Sequence, residues 1–139
     1  MWRDVERLSG KYGITFRKPS AFPRNGVLAS RVALASESRE WRSRYSKLVF
    51  IANFTDDRDI SDEAVIASVL ESLGEDPERI IRNALSEENK RKLRRATEDA
   101  IGKGIFGAPS FVSGGEIFWG NDRLEDALEW YGSHREQEG

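Results

Sequence analysis

The chain has 139 residues and a formal net charge of -2, which is enough length for one domain and gives no overall field that attracts nucleic acid or an anionic membrane. It contains no cysteine, and this excludes disulfides, thiolate metal sites and a dithiol redox couple among these residues. No apolar run approaches the roughly 18 residues that cross a bilayer, and the start MWRDVERL is too charged for a signal peptide. The sequence therefore predicts a soluble, cytoplasmic protein that binds neither nucleic acid nor membrane.

The first hundred residues have the apolar spacing of consecutive amphipathic helices. Trp2, Val5, Leu8 and Tyr12 form the apolar stripe of the first helix, and Gly13 suits its left-handed C-terminal cap. Prolines within 18–25 indicate a loop. The further predicted helices span 27–35, 39–54 and 87–101, with one more capped by Ser61 and another starting at Pro77. The residues expected to face the core in two of them are Trp41, Tyr45, Leu48, Val49 and Ala52, and Val65, Ile66, Val69, Leu70 and Leu73.

Three charged features suggest chemistry but have a plainer explanation. Asp56, Asp57 and Asp59 resemble part of a Ca²⁺ site, yet the glycine and distal glutamate of an EF-hand loop are missing, which favours a solvated acidic turn. The basic run 90–95 suggests phosphate binding, but acidic residues flank it at helical distances and its charges spread around the helix. His134 is the single histidine and is expected on the solvent-exposed surface, which leaves no Ser-His-Asp triad.

The stretch 104–123, GIFGAPSFVSGGEIFWGNDR, differs from the helical part of the chain. Two apolar runs, at 111–112 and 117–119, flank Gly114-Gly115, and this pattern predicts a β-hairpin with a tight turn. Apolar residues with helical spacing follow and predict a terminal helix. Neighbouring residues on a strand point to opposite faces, so both faces of this hairpin carry apolar groups. We therefore expect it to extend a larger sheet whose other strands are not encoded in this sequence.

Two features of this stretch can bind a ligand. A cis Pro109 would turn the backbone N–H and C=O of Ala108 outward and leave an edge that pairs with an extended peptide. Asn121 and Asp122 are good helix-capping residues, where free amides bind carboxylates and the carboxylate of Asp122 can hold an ammonium group. Together they suit a small peptide. The alternative is a structural loop followed by an ordinary N-cap.

GIFGAP-SF, followed by a hairpin and by FWGNDRLEDALEW, closely resembles the C-terminal part of the 2-hydroxychromene-2-carboxylate isomerases, relatives of kappa-class glutathione transferases within the DsbA-like thioredoxin superfamily. WRDVERLSGKYGITF and FPRN also resemble that family, so the similarity covers nearly the whole chain. The loop 18–25 matches only loosely a proline-containing segment near the family's substrate pocket, and we include none of its residues in the site. The family's opening strand–helix–strand unit, with the serine that assists the glutathione thiol, has no counterpart here.

The resemblance implies an α/β, mostly helical fold of the thioredoxin-like DsbA/kappa type, with a helical section at 1–103 and a hairpin and helix at 104–139. It also implies a glutathione-dependent isomerase that acts on a small aromatic substrate, as a homodimer. Ala108 and Pro109 would pair with the glutathione backbone, and Asn121 and Asp122 would hold its γ-glutamyl end. No catalytic or metal-binding residue is assigned. The alternative is a truncated, non-catalytic module that binds glutathione or a peptide, or dimerises through its exposed sheet edge.

Overall fold

The protein is described by a computed structural model that covers residues 1–135, with the side chain of Arg135 excepted. The chain divides into two compact units, Met1–Leu93 and Arg94–Gly139. The boundary predicted from the sequence, at 103/104, marks the change from helix to hairpin. The boundary between the compact units lies earlier, within the helix that precedes the hairpin. In chain order the elements are α1 (Trp2–Lys11), α2 (Val27–Leu34), α3 (Arg39–Phe54), α4 (Glu63–Ser72), α5 (Pro77–Ala84), α6 (Glu87–Gly102), β1 (Ser110–Ser113), β2 (Glu116–Trp119) and α7 (Leu124–Arg135).

The first unit is built around a closed apolar core. It is contributed by α2, α3, α4 and α5, and its largest fully buried side chains are Tyr45, Ile66, Leu70 and Val32. The predicted core faces of α3 and α4 are confirmed, since every one of those residues is buried or packs partly buried against this cluster. Such burial contributes about 1.5–3 kcal/mol for each large side chain, which explains why these helices assemble.

Most helix boundaries follow from local capping chemistry. Pro77 lies in the first turn of α5, and the hydroxyl of Ser86 accepts a hydrogen bond of 3.2 Å from the amide of Asn89, as predicted for the two N-termini. The prediction that Ser61 caps α4 is wrong. The cap is Asp62, whose Oδ1 accepts from the Ala64 amide at 2.9 Å, because the helix begins one residue later and Ser61 bonds to Asp59 instead.

The apolar stripe of α1 is less buried than a core helix would be. None of its residues is buried, and Leu8 and Tyr12 are 39% and 60% exposed. The chain turns at Gly13, with φ at 66°, as predicted for a left-handed cap. The indole of Trp2 instead makes aromatic contacts with Phe16 and Phe22, at centroid distances of 6.2 and 4.8 Å. The helix therefore packs through its first turn.

The acidic turn after α3 is not simply solvated. Asp57 has φ at 54°, and its side chain is 12% exposed. Its Oδ1 accepts from the Ser20 amide at 2.8 Å and from Arg24 Nη2 at 2.5 Å. Arg24 is 6% exposed and also donates to Asn53 and to the backbone of Arg58. The prediction of a solvated turn is wrong for Asp57, because the 18–25 loop places the buried guanidinium of Arg24 against its carboxylate.

The second unit contains the predicted hairpin and terminal helix. β1 and β2 pair antiparallel with Phe111 opposite Phe118, and the turn residues Gly114 and Gly115 have φ at 55° and 84°. Phe118 faces α7, with its ring centroid 6.4 Å from that of Trp130. The sheet has two strands within residues 1–135. Among the described residues, no helix has the length and apolar character needed to cross a membrane.

Candidate functional site

The candidate site begins at the turn before β1, where the Ala108–Pro109 peptide bond is cis, the form considered in the sequence analysis. The hydroxyl of Ser110 donates to the Gly107 carbonyl at 2.6 Å and closes this turn locally. The carbonyl of Pro109 accepts a hydrogen bond of 3.0 Å from the Gly120 amide. That bond continues the β1–β2 ladder by one residue beyond Ser110 and Trp119.

The Pro109–Gly120 hydrogen bond also determines which predicted residues come together. Gly120 directly precedes a 3-10 helical turn, Asn121–Arg123, which leads into α7. The four predicted site residues therefore lie on two adjacent segments of the second unit: Ala108 and Pro109 before β1, and Asn121 and Asp122 after β2. The hairpin brings these two segments side by side, although eleven residues separate them in the sequence.

The polar groups at this site are exposed and unused. Ala108, Asn121 and Asp122 are all exposed. Within residues 1–135, neither the amide nor the carbonyl of Ala108 makes a hydrogen bond, and the side chains of Asn121 and Asp122 make neither hydrogen bonds nor ion pairs. Backbone donors and acceptors are normally paired unless water or a ligand reaches them. The site therefore offers an unpaired peptide unit beside a free carboxylate.

The predicted capping role of Asn121 and Asp122 is not what the structure shows. The N-cap of the 3-10 turn is Gly120, with φ at 118°, and no side chain caps it. Asn121 and Asp122 lie inside the turn, so their side chains do not reach back to its first amides. A Cβ on Gly120 would lie 2.6 Å from Asp122 Oδ1, which shows how closely the carboxylate lies against this glycine.

A pair of exposed aromatic rings borders the unpaired peptide unit. Phe106 and Trp119 are 74% and 55% exposed, and their ring centroids are 5.3 Å apart. The indole of Trp119 lies directly over Gly107, where a Cβ would overlap it. Gly107 is therefore required for close approach rather than for its backbone angle. The sequence analysis did not predict this contact.

The four predicted site residues include neither a thiol nor an imidazole. The chain has no cysteine, and His134 is half-buried in a stack on Trp130, at 3.9 Å between ring centroids. The prediction that His134 is simply solvent-exposed is thus wrong, because α7 places it one turn after a tryptophan. Among the described residues, no group of three His, Cys, Asp or Glu side chains is placed to hold a metal ion.

Comparisons with known proteins identify the family of the chain. The model of the DSBA-like thioredoxin domain matches residues 1–132. The chain belongs to this family. The chain is 28% identical over 131 residues to a 2-hydroxychromene-2-carboxylate isomerase of Sphingobium xenophagum. The aligned region covers 94% of the chain and 66% of that protein.

A solved structure supports the same relationship. The chain is similar in fold to the structure of a 2-hydroxychromene-2-carboxylate isomerase, with a TM-score of 0.84 and 27% sequence identity. The match covers 97% of this chain and 66% of that one. The resemblance inferred from GIFGAP and WGNDRL is therefore confirmed, as is the thioredoxin-like fold class. The chain spans about two thirds of the length of both relatives.

The first unit of this DSBA-like thioredoxin domain contains a concave surface that sequence reasoning missed. An apolar groove of about 890 Å³ lies between the start of α1, the 14–22 segment and α3. We call it the aromatic groove; the rings that line it are those of Trp2, Phe16, Phe22, Phe50 and Phe54. The sequence contained one signal for this surface, because Phe50 is a large aromatic residue outside the predicted core face of α3. In the structure its side chain is 63% exposed. Phe22 belongs to the loop that the sequence analysis left out of the site.

Proposed function

We propose that this chain is part of a glutathione-dependent isomerase of the 2-hydroxychromene-2-carboxylate type. The observation that supports the proposal most strongly is similarity along almost the whole chain, in sequence and in fold, to relatives with that isomerase name. Because the chain spans only about two thirds of those relatives, activity, substrate and partners belong to the proposal. The exposed, unpaired groups at Ala108 and Asp122 support it independently.

Glutathione is a tripeptide thiol, and the exposed groups at the site suit its two peptide-like ends. The amide and carbonyl of Ala108 would pair with its backbone as in strand addition. The carboxylate of Asp122 would hold the γ-glutamyl ammonium, and the amides at the start of the 3-10 turn would receive its carboxylate. Neither the Asn121 nor the Asp122 amide has a backbone acceptor within residues 1–135. Within residues 1–135, no hydrogen bond of these groups would have to break before a ligand binds.

The role of the chain's own residues in this proposal is to bind and to orient. Glutathione would supply a thiolate nucleophile toward a conjugated aromatic substrate, which the cysteine-free chain cannot provide. Ala108 and Pro109 would fix the direction of the tripeptide, and Asn121 and Asp122 would anchor its far end. Positioning of this kind lowers the barrier by removing translational and rotational freedom before reaction.

Isothermal titration calorimetry with glutathione tests this proposal. We expect saturable glutathione binding to the full chain, and Asp122→Ala should weaken it about tenfold or more because an ion-paired ammonium loses its partner. Glu125→Ala is the matched control, since it removes an exposed carboxylate from the first turn of α7 and should leave the affinity unchanged. Absence of binding at millimolar glutathione would contradict the proposal.

The second candidate function is a non-catalytic module that dimerises through its sheet. It is favoured by the hairpin itself, because Val112 and Trp119 are 43% and 55% exposed and each strand has one partner within residues 1–135. An exposed strand edge promotes association. Analytical ultracentrifugation together with an isomerase assay in the presence of glutathione separates the two candidates. A dimer without glutathione binding or turnover favours the module, whereas turnover favours the enzyme.

A further inference from the structure

The first unit contains a polar cavity that shares no lining residue with the aromatic groove. Its volume of about 440 Å³ falls in the range of roughly 300–1,000 Å³ that is typical of ligand pockets. It lies between the connection from α2 to α3, the first turn of α3, and α5 with the residues just before it. We call it the polar cavity; its polar lining includes the side chains of Ser36, Ser38, Trp41, Glu75, Arg79 and Asn83.

The wall that joins α2 to α3 is held in place by hydrogen bonds. Arg42 donates from Nε to the Ala33 carbonyl at 3.0 Å and from Nη2 to the Ser36 carbonyl at 2.7 Å. The hydroxyl of Ser38 accepts from the Trp41 amide at 3.2 Å and caps α3. A cavity whose wall is ordered in advance loses little conformational entropy when a ligand binds.

Glu75 supplies a carboxylate that is partly buried and held in one orientation. Its Oε1 accepts a hydrogen bond of 2.8 Å from the indole N–H of Trp41, and its side chain is 27% exposed. The indole is itself fixed, because it stacks on Tyr45 with 5.2 Å between ring centroids. Within residues 1–135 the other oxygen, Oε2, accepts no hydrogen bond. This oxygen can therefore accept from an ammonium group of a ligand.

The helix α5 supplies donors for a carboxylate. Arg79 and Asn83 are four residues apart, a spacing that puts both on one face of the helix. Arg79 Nη2 lies 3.5 Å from Glu75 Oε2, and the arginine side chain is 67% exposed. An ion pair so open to water is weak, so the guanidinium stays available to a second carboxylate. In the part of the chain that the structure describes, the side-chain amide of Asn83 makes no hydrogen bond.

The charges around the polar cavity favour a ligand that carries both signs. Glu37 also lines the cavity, but its side chain is 94% exposed and pairs with Lys92 at 3.5 Å. The remaining charges of the lining are those of Glu75 and Arg79. A ligand with a carboxylate alone would lie against Glu75, and one with an ammonium alone would lie against Arg79. Such contacts between like charges are unfavourable, which selects against both.

The lining also includes apolar groups next to these charges. They are Ala35, the ring of Trp41 and Ile80, which is 8% exposed. Apolar and charged groups in one cavity match a molecule with a charged end and a hydrocarbon side chain.

We propose that the polar cavity binds a small zwitterion of the α-amino acid class, with its ammonium on Glu75 and its carboxylate on Arg79 and Asn83. In an α-amino acid the two charged groups are joined through one carbon. They can therefore lie side by side against a carboxylate and a guanidinium that are 3.5 Å apart. This inference goes beyond the proposed isomerase, and the binding requires neither glutathione nor the site at Ala108.

The test is a calorimetric titration of the full chain with L-leucine in the absence of glutathione. We expect saturable binding, and Glu75→Gln should weaken it about fivefold because a charge-assisted contact is lost. Glutamine keeps an acceptor for the Trp41 indole, so this variant removes the charge and retains the internal hydrogen bond. Arg79→Gln changes an exposed side chain and should also weaken binding about fivefold.

Two analogues of leucine assign each charge to its partner. N-acetylleucine lacks the ammonium and leucinamide lacks the carboxylate, so both should bind the original chain more weakly than leucine does. In Glu75→Gln the preference for leucine over N-acetylleucine should shrink. In Arg79→Gln the preference for leucine over leucinamide should shrink instead. Preferences that stay unchanged in both variants would overturn the inference.

Matched controls lie on the same helix and outside the cavity. Glu78→Gln and Arg82→Gln remove exposed charges of α5 that do not line the cavity, and neither should change the affinity for leucine. Asp122→Ala should also leave it unchanged, whereas it should weaken glutathione binding, so the two proposals fail separately. No saturation at millimolar leucine, or equal losses in the controls, would contradict a site in this cavity.

Discussion

The two units of the chain are stabilised in different ways. Met1–Leu93 closes around eleven buried apolar side chains, among them Ile66 and Leu70 at 0% exposure. In the described part of Arg94–Gly139, Ala127 is the one buried apolar residue, and the hairpin leaves Val112 and Trp119 exposed. The first unit thus depends on side-chain packing, whereas the second depends on backbone hydrogen bonds and a few aromatic contacts.

This difference separates the residues that stabilise the fold from those proposed to bind ligand. Substitutions in a core cost free energy through lost burial and through the cavity that they leave. Exposed substitutions away from special features usually change stability by no more than about 0.5 kcal/mol. The exposed side chains of Asn121 and Asp122, which belong to the proposed glutathione site, should therefore be replaceable with little effect on folding, so that binding and stability can be measured separately.

The largest expected contrast comes from removing one leucine in each unit. Leu70→Ala, at a fully buried position, should lower the free energy of unfolding by about 3 kcal/mol. Leu128→Ala, at a position 59% exposed in α7, should lower it by about 0.5 kcal/mol. Urea unfolding followed by circular dichroism measures both. Equal losses would show that the hairpin unit contains a core as important as that of the first unit.

An acid titration should reveal the contribution of Asp57 to stability. The Ser20 amide and then the Arg24 guanidinium lower the pKa of Asp57 to about 2, below the ordinary value of about 3.9 in an unfolded chain. Its contribution to stability is therefore complete above about pH 4 and is lost as the pH falls toward 2.

The matched variants for this titration are Asp57→Asn and Asp56→Asn. Asp57→Asn should be less stable at neutral pH and should lose less stability between about pH 4 and 2, because the titrating group is gone. The neighbouring Asp56 is exposed, and Asp56→Asn should keep the acid dependence of the original chain. The urea midpoint at each pH measures this, and identical acid profiles for the two variants would contradict the assignment.

The smallest expected effect concerns Gly107 in the second unit. In Gly107→Ala the new methyl group would overlap the indole of Trp119, which is exposed enough to move outward. We expect a change in tryptophan emission and weaker glutathione binding, with a loss of stability below about 1 kcal/mol. Gly10→Ala, where a Cβ meets nothing within 4 Å, is the control. Unchanged emission in Gly107→Ala would show that the indole does not lie over this glycine.

The helices could be predicted well because their determinants are local. Pro77 starts α5 and Ser86 caps α6, and the apolar spacing of α3 predicted its buried face. The errors occurred where a neighbouring polar side chain competed. Asp62 rather than Ser61 caps α4, because both are good caps one residue apart and sequence pattern does not choose between them.

The sites divide in the same way. Ala108, Pro109, Asn121 and Asp122 were predicted together because a hairpin necessarily brings its two flanking segments side by side. The aromatic groove was not predicted, because its rings come from α1, the 14–22 segment and α3. Distant ring contacts such as that between Phe16 and Phe54 have no periodic signal in the sequence.

By itself the sequence determined most of the helices and the hairpin, because each depends on spacing within about twenty residues, and its resemblance to known sequences indicated the family. Only the tertiary structure decided that Arg24 forms an ion pair with Asp57 of the acidic turn, and that five aromatic rings line one groove. The physical reason is that burial and charge pairing depend on which distant segments meet. That choice is made by the packing of the whole core, and no short pattern encodes it.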